Sequence, residues 1–388
     1  MLSKVHVIVT GAGAGIGKEI VTSCLSERAH VVACDISEDS LNELKASYST
    51  NKLSTYAVDV AAGDLDPRVL KVISSYTNHS EEEQTEPANV SIAAIRASMG
   101  WLNRDVTTTE ITTELLSIPS KEHDIPARIY RPISNELLPA VVFFHGGGFI
   151  GGSLKTVENP CKALAEKAHA AVVSVDYRLA PEHPFPAGLE DCLTAVKWVY
   201  ENAEKLGINK EQLAVCGDSA GGNLAAVCSL LDSQQGTNRI KYQALIYPVV
   251  NPGRIDTEDH RWDINEYEVF HHHELIKGVI LALAGSSSML NKLYLQGADV
   301  TDIRVSPLLA DDLNGLPETL IINAEYDYLR LQAEAYARKL ARSGVKTKMI
   351  QYKGMDHAFI DKIGDYPQAE DCMNEIAKEL KSAFRINC

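Results

Sequence analysis

The sequence has little that would hold a polyanion. Its 37 Lys and Arg are outnumbered by 52 Asp and Glu, for a formal net charge of −15. Such a balance argues against nucleic acid or an anionic membrane as a partner. No apolar stretch approaches the ~20 residues needed to cross a bilayer, so stable membrane insertion is not expected. The start, Met1 to Thr10, runs straight into a strand-like segment and then glycines. It lacks the long apolar region and small-residue cleavage site of a signal peptide. The eight cysteines stand singly with no Cys-x-x-Cys pair, so neither a zinc site nor a disulfide scaffold is indicated. Most lie in apolar stretches, where thiols pack as small hydrophobes. A reducing cytoplasm fits this usage. Hydrophobic residues make up 45% of the 388, ordinary for a globular chain. That length allows one large α/β domain with a smaller second unit, or two or three domains.

What is present centres on Gly217-Asp218-Ser219-Ala220-Gly221-Gly222. An apolar run, Gln212 to Cys216, precedes it, and a helix-like stretch, Asn223 to Leu231, follows. A buried strand, Gly-x-Ser-x-Gly and a helix form the context of a nucleophile elbow. The turn is too tight for a Cβ at Gly217 or Gly221, and it forces Ser219 into a strained backbone that lifts its hydroxyl clear of the sheet. The following helix aims its N-terminal amides at the same spot.

Other segments agree. Ala140 to Phe144 is a continuous apolar strand, as in a parallel sheet buried on both faces, and it leads into His145-Gly146-Gly147-Gly148. Bare amides of Gly147 and Gly148, with that of Ala220, could close on an oxyanion. His145 reads as a residue that pins this loop rather than as a base. Further strands are expected at 111–118 and 125–132, paired as a hairpin, and at 170–177, 244–248, 319–324 and 346–352. An aromatic-rich insertion, 250–301, separates two of them and would sit above the strand ends, where ligands bind in open α/β sheets. Its His271-His272-His273 points in different directions on a helix, so no metal site is expected. Asp327 follows one late strand and His357 the last. Ser219, Asp327 and His357 thus occur in the order nucleophile, acid, base. Glu325, Asp218 and Asp356 are carboxylates that compete for the acid's role. Asp327 is preferred, because Glu325 sits on the strand end and Asp356 adjoins the histidine.

From about Ser91 onward the chain resembles the hormone-sensitive-lipase-like carboxylesterases. The resemblance rests on His145-Gly146-Gly147-Gly148, Tyr177-Arg178-Leu179-Ala180-Pro181-Glu182, Gly217-Asp218-Ser219-Ala220-Gly221, Ser306-Pro307-Leu308, Asp327 and His357. It implies an α/β-hydrolase core with a helical cap from 91–110 and 250–301, acting on short- to medium-chain or aromatic carboxylic esters without a cofactor. One departure stands out. The family's Asp-Pro-Leu-Arg-Asp is Asp327-Tyr328-Leu329-Arg330-Leu331 here, which bears on the acyl-site wall.

The N-terminus is a different matter. A strand at Val5–Val9, the glycines of Thr10-Gly11-Ala12-Gly13-Ala14-Gly15-Ile16-Gly17, and a second strand ending at Asp35 make the βαβ layout that binds dinucleotides. With Asp59-Val60, this resembles the opening of a short-chain dehydrogenase. The resemblance implies Gly11, Gly15 and Gly17 at a pyrophosphate, Asp35 on a ribose and Asp59 near the adenine. It then stops: no Asn-Asn-Ala-Gly follows, and Tyr48-x-x-x-Lys52 lies ahead of Asp59-Val60, where the catalytic helix cannot be. The expectation is a partial Rossmann-like βαβαβ unit over 1–76, a vestigial nucleotide site at most, that docks on the main domain or covers its open edges in a homo-oligomer contact. An acidic linker, 77–90, and the hydrolase domain, 91–388, would follow.

The reading is therefore a serine carboxylesterase with a small-molecule ester substrate. An NAD-dependent oxidoreductase lacks a suitable Tyr/Lys pair. A non-catalytic receptor on the same scaffold would typically have lost a member of the triad. With a histidine titrating near its ordinary ~6.5, activity would fall below about pH 6.

Overall fold

The computed structural model describes residues 6–10, 15–26, 30–35, 38–48, 53–57, 65–79 and 91–386. The chain divides into two compact units: Met1–Asp64 with Glu268–His273, and Leu65–Tyr267 with Glu274–Cys388.

In the first unit, β1 (His6–Thr10), α1 (Gly15–Ser26), β2 (His30–Asp35), α2 (Glu38–Ala46) and β3 (Leu53–Ala57) alternate along the chain. The strands form a parallel sheet in the order β1-β2-β3, with His6 opposite His30 and Val31 opposite Leu53. Val21, Val31, Leu41, Leu44 and Leu53 make its core. Tyr48 Oη lies 2.6 Å from Thr22 Oγ1 and packs against that core, a structural role. Lys52 lies outside the described residues.

The remaining elements are α3 (Pro67–His79), α4 (Ile92–Ala97), β4 (Ile111–Pro119), β5 (Asp124–Pro132), β6 (Leu138–Phe144), α5 (Glu158–Ala168), β7 (Ala171–Val175), α6 (Ala187–Glu201), β8 (Ile208–Asp218), α7 (Ala220–Gln234), β9 (Tyr242–Ile246), α8 (His273–Leu295), β10 (Glu318–Tyr326), α9 (Arg330–Arg342), β11 (Thr347–Asp356) and α10 (Pro367–Phe384). Eight strands form one mixed sheet in the order β11-β10-β9-β8-β6-β7-β5-β4. Six run parallel from β7 to β11, and the β4–β5 hairpin joins antiparallel at the edge. Every residue of β6, β7 and β9 is buried, which is why these strands read as unbroken apolar runs rather than alternating ones. This is the α/β-hydrolase core that the sequence predicts. Parallel strands end at one rim, and Asp218, Tyr326 and Asp356 close β8, β10 and β11 there, next to Ser219, Asp327 and His357.

Two elements differ from the sequence reading. In the 91–110 stretch expected to supply part of the helical cap, the helix ends at Ala97. Gly100, at φ +86°, then turns the chain where an added Cβ would press on Thr156. The second difference is α3, which belongs to the hydrolase unit, so the packing boundary falls between Asp64 and Leu65. Asp66 caps this helix, its Oδ1 accepting the Arg68 amide at 2.9 Å, with Pro67 in the first turn. Val69 and Ile73, four residues apart and so on one helix face, are both buried. The Asp66 amide donates to Gly354 O at 3.0 Å, and Gln368 Nε2 donates to Asp66 Oδ2 at 3.0 Å.

Candidate active site

The elbow forms because backbone comes very close to backbone. A Cβ at Gly217 would collide with the Gly221 carbonyl, and one at Gly221 with that of Phe144. Between them Ser219 adopts φ 53°, ψ −114°, a region that side chains rarely occupy and that persists only when the surroundings impose it. They do: the Ser219 amide donates to Ile246 O at 2.9 Å, and its carbonyl accepts from Asn223 and Val249, each at 3.1 Å.

This conformation brings Ser219 Oγ to 3.1 Å from His357 Nε2. His357 Nδ1 lies 2.7 Å from Asp327 Oδ2. The other carboxylate oxygen of Asp327 accepts the Leu329 amide at 2.8 Å, and Asp327 is fully buried. The three sequence-predicted residues therefore form one hydrogen-bonded chain. Glu325 is engaged elsewhere, accepting the Gly354 amide at 2.8 Å. Asp356 faces Lys362, with Oδ2 and Nζ 3.5 Å apart. Burial pushes the His357 imidazole down, but the Asp327 charge and hydrogen bond, helped by Asp218 and Asp356, outweigh it and leave its pKa above the ordinary histidine value.

The glycine loop is tied to the elbow by Asp218. Its Oδ1 accepts the Gly146 amide at 2.8 Å, and there is no room for a Cβ between them. Burial, with the Asp361 charge adding to it, pushes the Asp218 carboxyl up to about 8. Gly147 turns at φ 123°, and its carbonyl takes the Ile150 and Gly151 amides at 3.1 and 2.9 Å. Among the described residues the amides of Gly147 and Gly148 have no acceptor. Ala220 opens α7, where the first amides have none within the helix. His145 does not approach Ser219 in any hydrogen bond. Its buried ring stacks on Tyr177 at 4.4 Å, Nδ1 lies 2.8 Å from Gly146 O, and Tyr177 Oη donates to His145 O at 2.7 Å. Arg96 of α4 fastens the helix to the same loop system, donating to Ile150 O and Ala180 O at 2.6 and 3.0 Å.

Ser219 and His357 open onto a cavity of about 630 Å³. Ile95, Met99 and Trp101 line it from the α4 segment, Val279, Leu283 and Leu290 from α8, and Val72 and Ile73 from α3. Sequence reasoning missed α3. The signal that could have found it is the Asp66-Pro67 helix start with Val69 and Ile73 at helical spacing. The departure from the family pattern at Tyr328 also reaches the cavity: its ring packs edge-on against His357 at 5.6 Å. The aromatics of the 250–301 insertion stay out of the lining, and three of them brace it. Trp262 Nε1 donates to Tyr328 O at 3.0 Å, and Tyr267 Oη to Asp327 O at 2.9 Å. Tyr294 stacks on Phe149 at 3.9 Å.

Residues 141–361 match a model of the alpha/beta hydrolase fold. The chain belongs to the alpha/beta hydrolase family. Several curated relatives of this hydrolase are ester hydrolases by name. An arylesterase of Saccharolobus solfataricus is 38% identical over 64% of this chain and 77% of that protein. A carboxylesterase of Mycobacterium tuberculosis is 36% identical over 67% of this chain and 79% of that one. Among solved structures, an esterase of Pyrobaculum calidifontis aligns with a TM-score of 0.67 at 36% identity, covering 82% of this hydrolase and 98% of its own chain. Residues 5–77 separately match a short chain dehydrogenase model. Of the residues expected at a nucleotide, Gly15 and Gly17 lie in the first turn of α1 and Asp35 closes β2. Gly11 and Asp59 lie outside the described residues. Among the described residues no cluster of His, Cys, Asp and Glu could hold a metal ion, and no helix is long and apolar enough to cross a membrane.

Proposed function

We propose that this hydrolase is a serine carboxylesterase acting on short- to medium-chain or aromatic carboxylic esters through an acyl-enzyme. The observation that carries the proposal is the Ser219–His357–Asp327 hydrogen-bonded chain at the wall of a largely apolar cavity. His357 Nε2 takes the Ser219 proton as Oγ attacks the ester carbonyl carbon. Asp327 holds the Nδ1 proton in place and stabilises the imidazolium. Negative charge then gathers on the former carbonyl oxygen, within reach of the amides of Gly147, Gly148 and Ala220. Such pre-positioned donors are worth about 10²–10³ in kcat each. His357 returns the proton to the departing alcohol oxygen, and the acyl group stays on Ser219. Water repeats the cycle: its oxygen bonds to the acyl carbon as His357 takes its proton, the bond to Ser219 Oγ breaks, His357 returns the proton to Oγ, and the acid leaves. The N-terminal unit takes no part in this scheme, and no cofactor is needed.

The test is kcat/KM across acetate, butyrate, octanoate and decanoate esters and methyl ferulate. Turnover peaking at acetate or butyrate means that α4 and α8 close a short pocket. A peak at decanoate or the ferulate means a longer or wider channel. No turnover of any ester refutes the reading.

A further inference from the structure

Charges on the wall of the Ser219 cavity are unevenly placed. Asp218, Asp356, Asp361 and Lys362 gather near His357, and Lys362 already has Asp356 as its partner. Arg254 is the other cation on the lining. It also borders an adjoining cavity of about 680 Å³, with which the first shares Pro252, Arg254, Ser287 and Asn291. Arg254 therefore stands at the wall between the reaction cavity and a second, more polar one.

Arg254 is built into that place. Its amide donates to Asn251 O at 3.0 Å, and its own backbone takes φ 49°, an uncommon conformation for a residue with a Cβ. The loop is held from below, where the buried Gln332 Oε1 accepts the amides of Val250 and Asn251 at 2.8 and 2.7 Å. Asn251 in turn brackets Ile255, accepting its amide at 3.0 Å and donating to its carbonyl at 2.8 Å. The guanidinium lies 5.2 Å from the Trp262 ring centre, a cation–π arrangement. Its Nη2 donates to Ser287 Oγ at 3.0 Å and to Ala284 O. Those contacts use one nitrogen. Among the described residues Nε and Nη1 have no acceptor and no carboxylate lies within ion-pair distance. In a chain of net charge −15 carboxylates are plentiful, yet none pairs with this half-buried guanidinium, which keeps Nε and Nη1 as unused donors. The planar fork of an arginine suits a carboxylate, which it can bind through two donors at once.

We infer that Arg254 is a specificity residue: it binds a second, ionised carboxyl group on the ester substrate, so that hemiesters of dicarboxylic acids or esters of hydroxy acids are preferred over neutral esters of the same shape. This rests on the esterase reading and adds the substrate class. A role limited to bracing α8 against the 250–255 loop would affect charged and neutral esters alike.

The experiment compares kcat/KM for two matched pairs in the full chain and in Arg254→Met and Arg254→Lys. One pair carries the charge on the acyl side: mono-4-nitrophenyl succinate against 4-nitrophenyl 4-methylpentanoate. The other carries it on the alcohol side: 4-acetoxybenzoate against 4-isopropylphenyl acetate. The expected result is that Arg254→Met lowers the charged-to-neutral ratio about tenfold or more in at least one pair, as loss of a charge-assisted hydrogen bond should. The loss should fall mainly on KM and shrink at high salt, and Arg254→Lys should recover part of it. An unchanged ratio in both pairs, with or without an equal fall in every activity, overturns the inference and leaves the esterase reading standing. If the unaltered protein hydrolyses none of the four esters, the esterase reading falls and the inference with it. A thermal melt of each variant separates a lost contact from a lost fold.

Discussion

The Asp66 amide donates to the Gly354 carbonyl at 3.0 Å, fastening the start of α3 to the strand that ends just before His357. The similarity to a short chain dehydrogenase runs through residue 77, yet by packing the last helix of that stretch is a wall of the hydrolase cavity. The natural place to cut the chain is therefore before Leu65 rather than in the acidic segment after it.

A chain beginning at Leu65 should keep its ester turnover, whereas one beginning at Ser91 should lose at least about tenfold in kcat/KM. Removing α3 takes Val72 and Ile73 out of the cavity wall and the buried Val69 and Ile73 out of the packing, and each buried aliphatic side chain contributes about 1.5–3 kcal/mol. Assays of the two truncations on one butyrate ester decide this. Equal loss in both would place the boundary elsewhere.

Asp327 and Glu325 separate cleanly by substitution. Asp327→Asn should lower kcat by about 10³-fold or more, since an amide cannot hold the imidazole in the working tautomer. Glu325→Gln should leave kcat within about tenfold, because Glu325 meets the Gly354 amide rather than His357. The reverse ranking would reassign the acid.

The pH profile follows from the charges around His357. Attack requires the neutral imidazole. Because Asp327, Asp218 and Asp356 raise its pKa against the effect of burial, the imidazolium persists to higher pH than in a free histidine. The acid limb of kcat/KM in the free enzyme should therefore lie above ~6.5, higher than the sequence alone suggests. Asp327→Asn should shift what activity remains toward lower pH. An acid limb at pH 5 would contradict the geometry.

The N-terminal unit should not bind NAD at micromolar concentration. Its sequence has the glycines of a half-site but neither the Asn-Asn-Ala-Gly segment nor a usable Tyr/Lys pair, and Tyr48 is occupied by Thr22. Calorimetric titration with NAD checks this, and a micromolar dissociation constant would show that the unit is a working nucleotide site.

Much of this site is legible in the sequence because it is local. Gly217 to Gly222 declares a strand, a tight turn and a helix within a dozen residues, and the strands before Asp327 and His357 are apolar enough to read directly. What escapes is tertiary. Nothing beside Arg254 marks it as part of the cavity, since its place depends on Ser287 and Gln332, both far along the chain, as well as on Trp262. The role of α3 is hidden for the same reason: its resemblance points to one domain and its buried face to another. The short α4 depends on a glycine turning beside Thr156, which periodicity cannot register.

The most direct test of the central claim is covalent labelling of Ser219. The protein and its Ser219→Ala variant would be treated with a 4-nitrophenyl phosphonate, with intact mass, the modified peptide and ester turnover followed together. The account predicts one phosphonyl group per chain on Ser219, activity lost in step with labelling, and a folded variant that neither labels nor turns over ester beyond about a thousandth of the original rate. Labelling at another residue, or a Ser219→Ala variant near full activity, would contradict it.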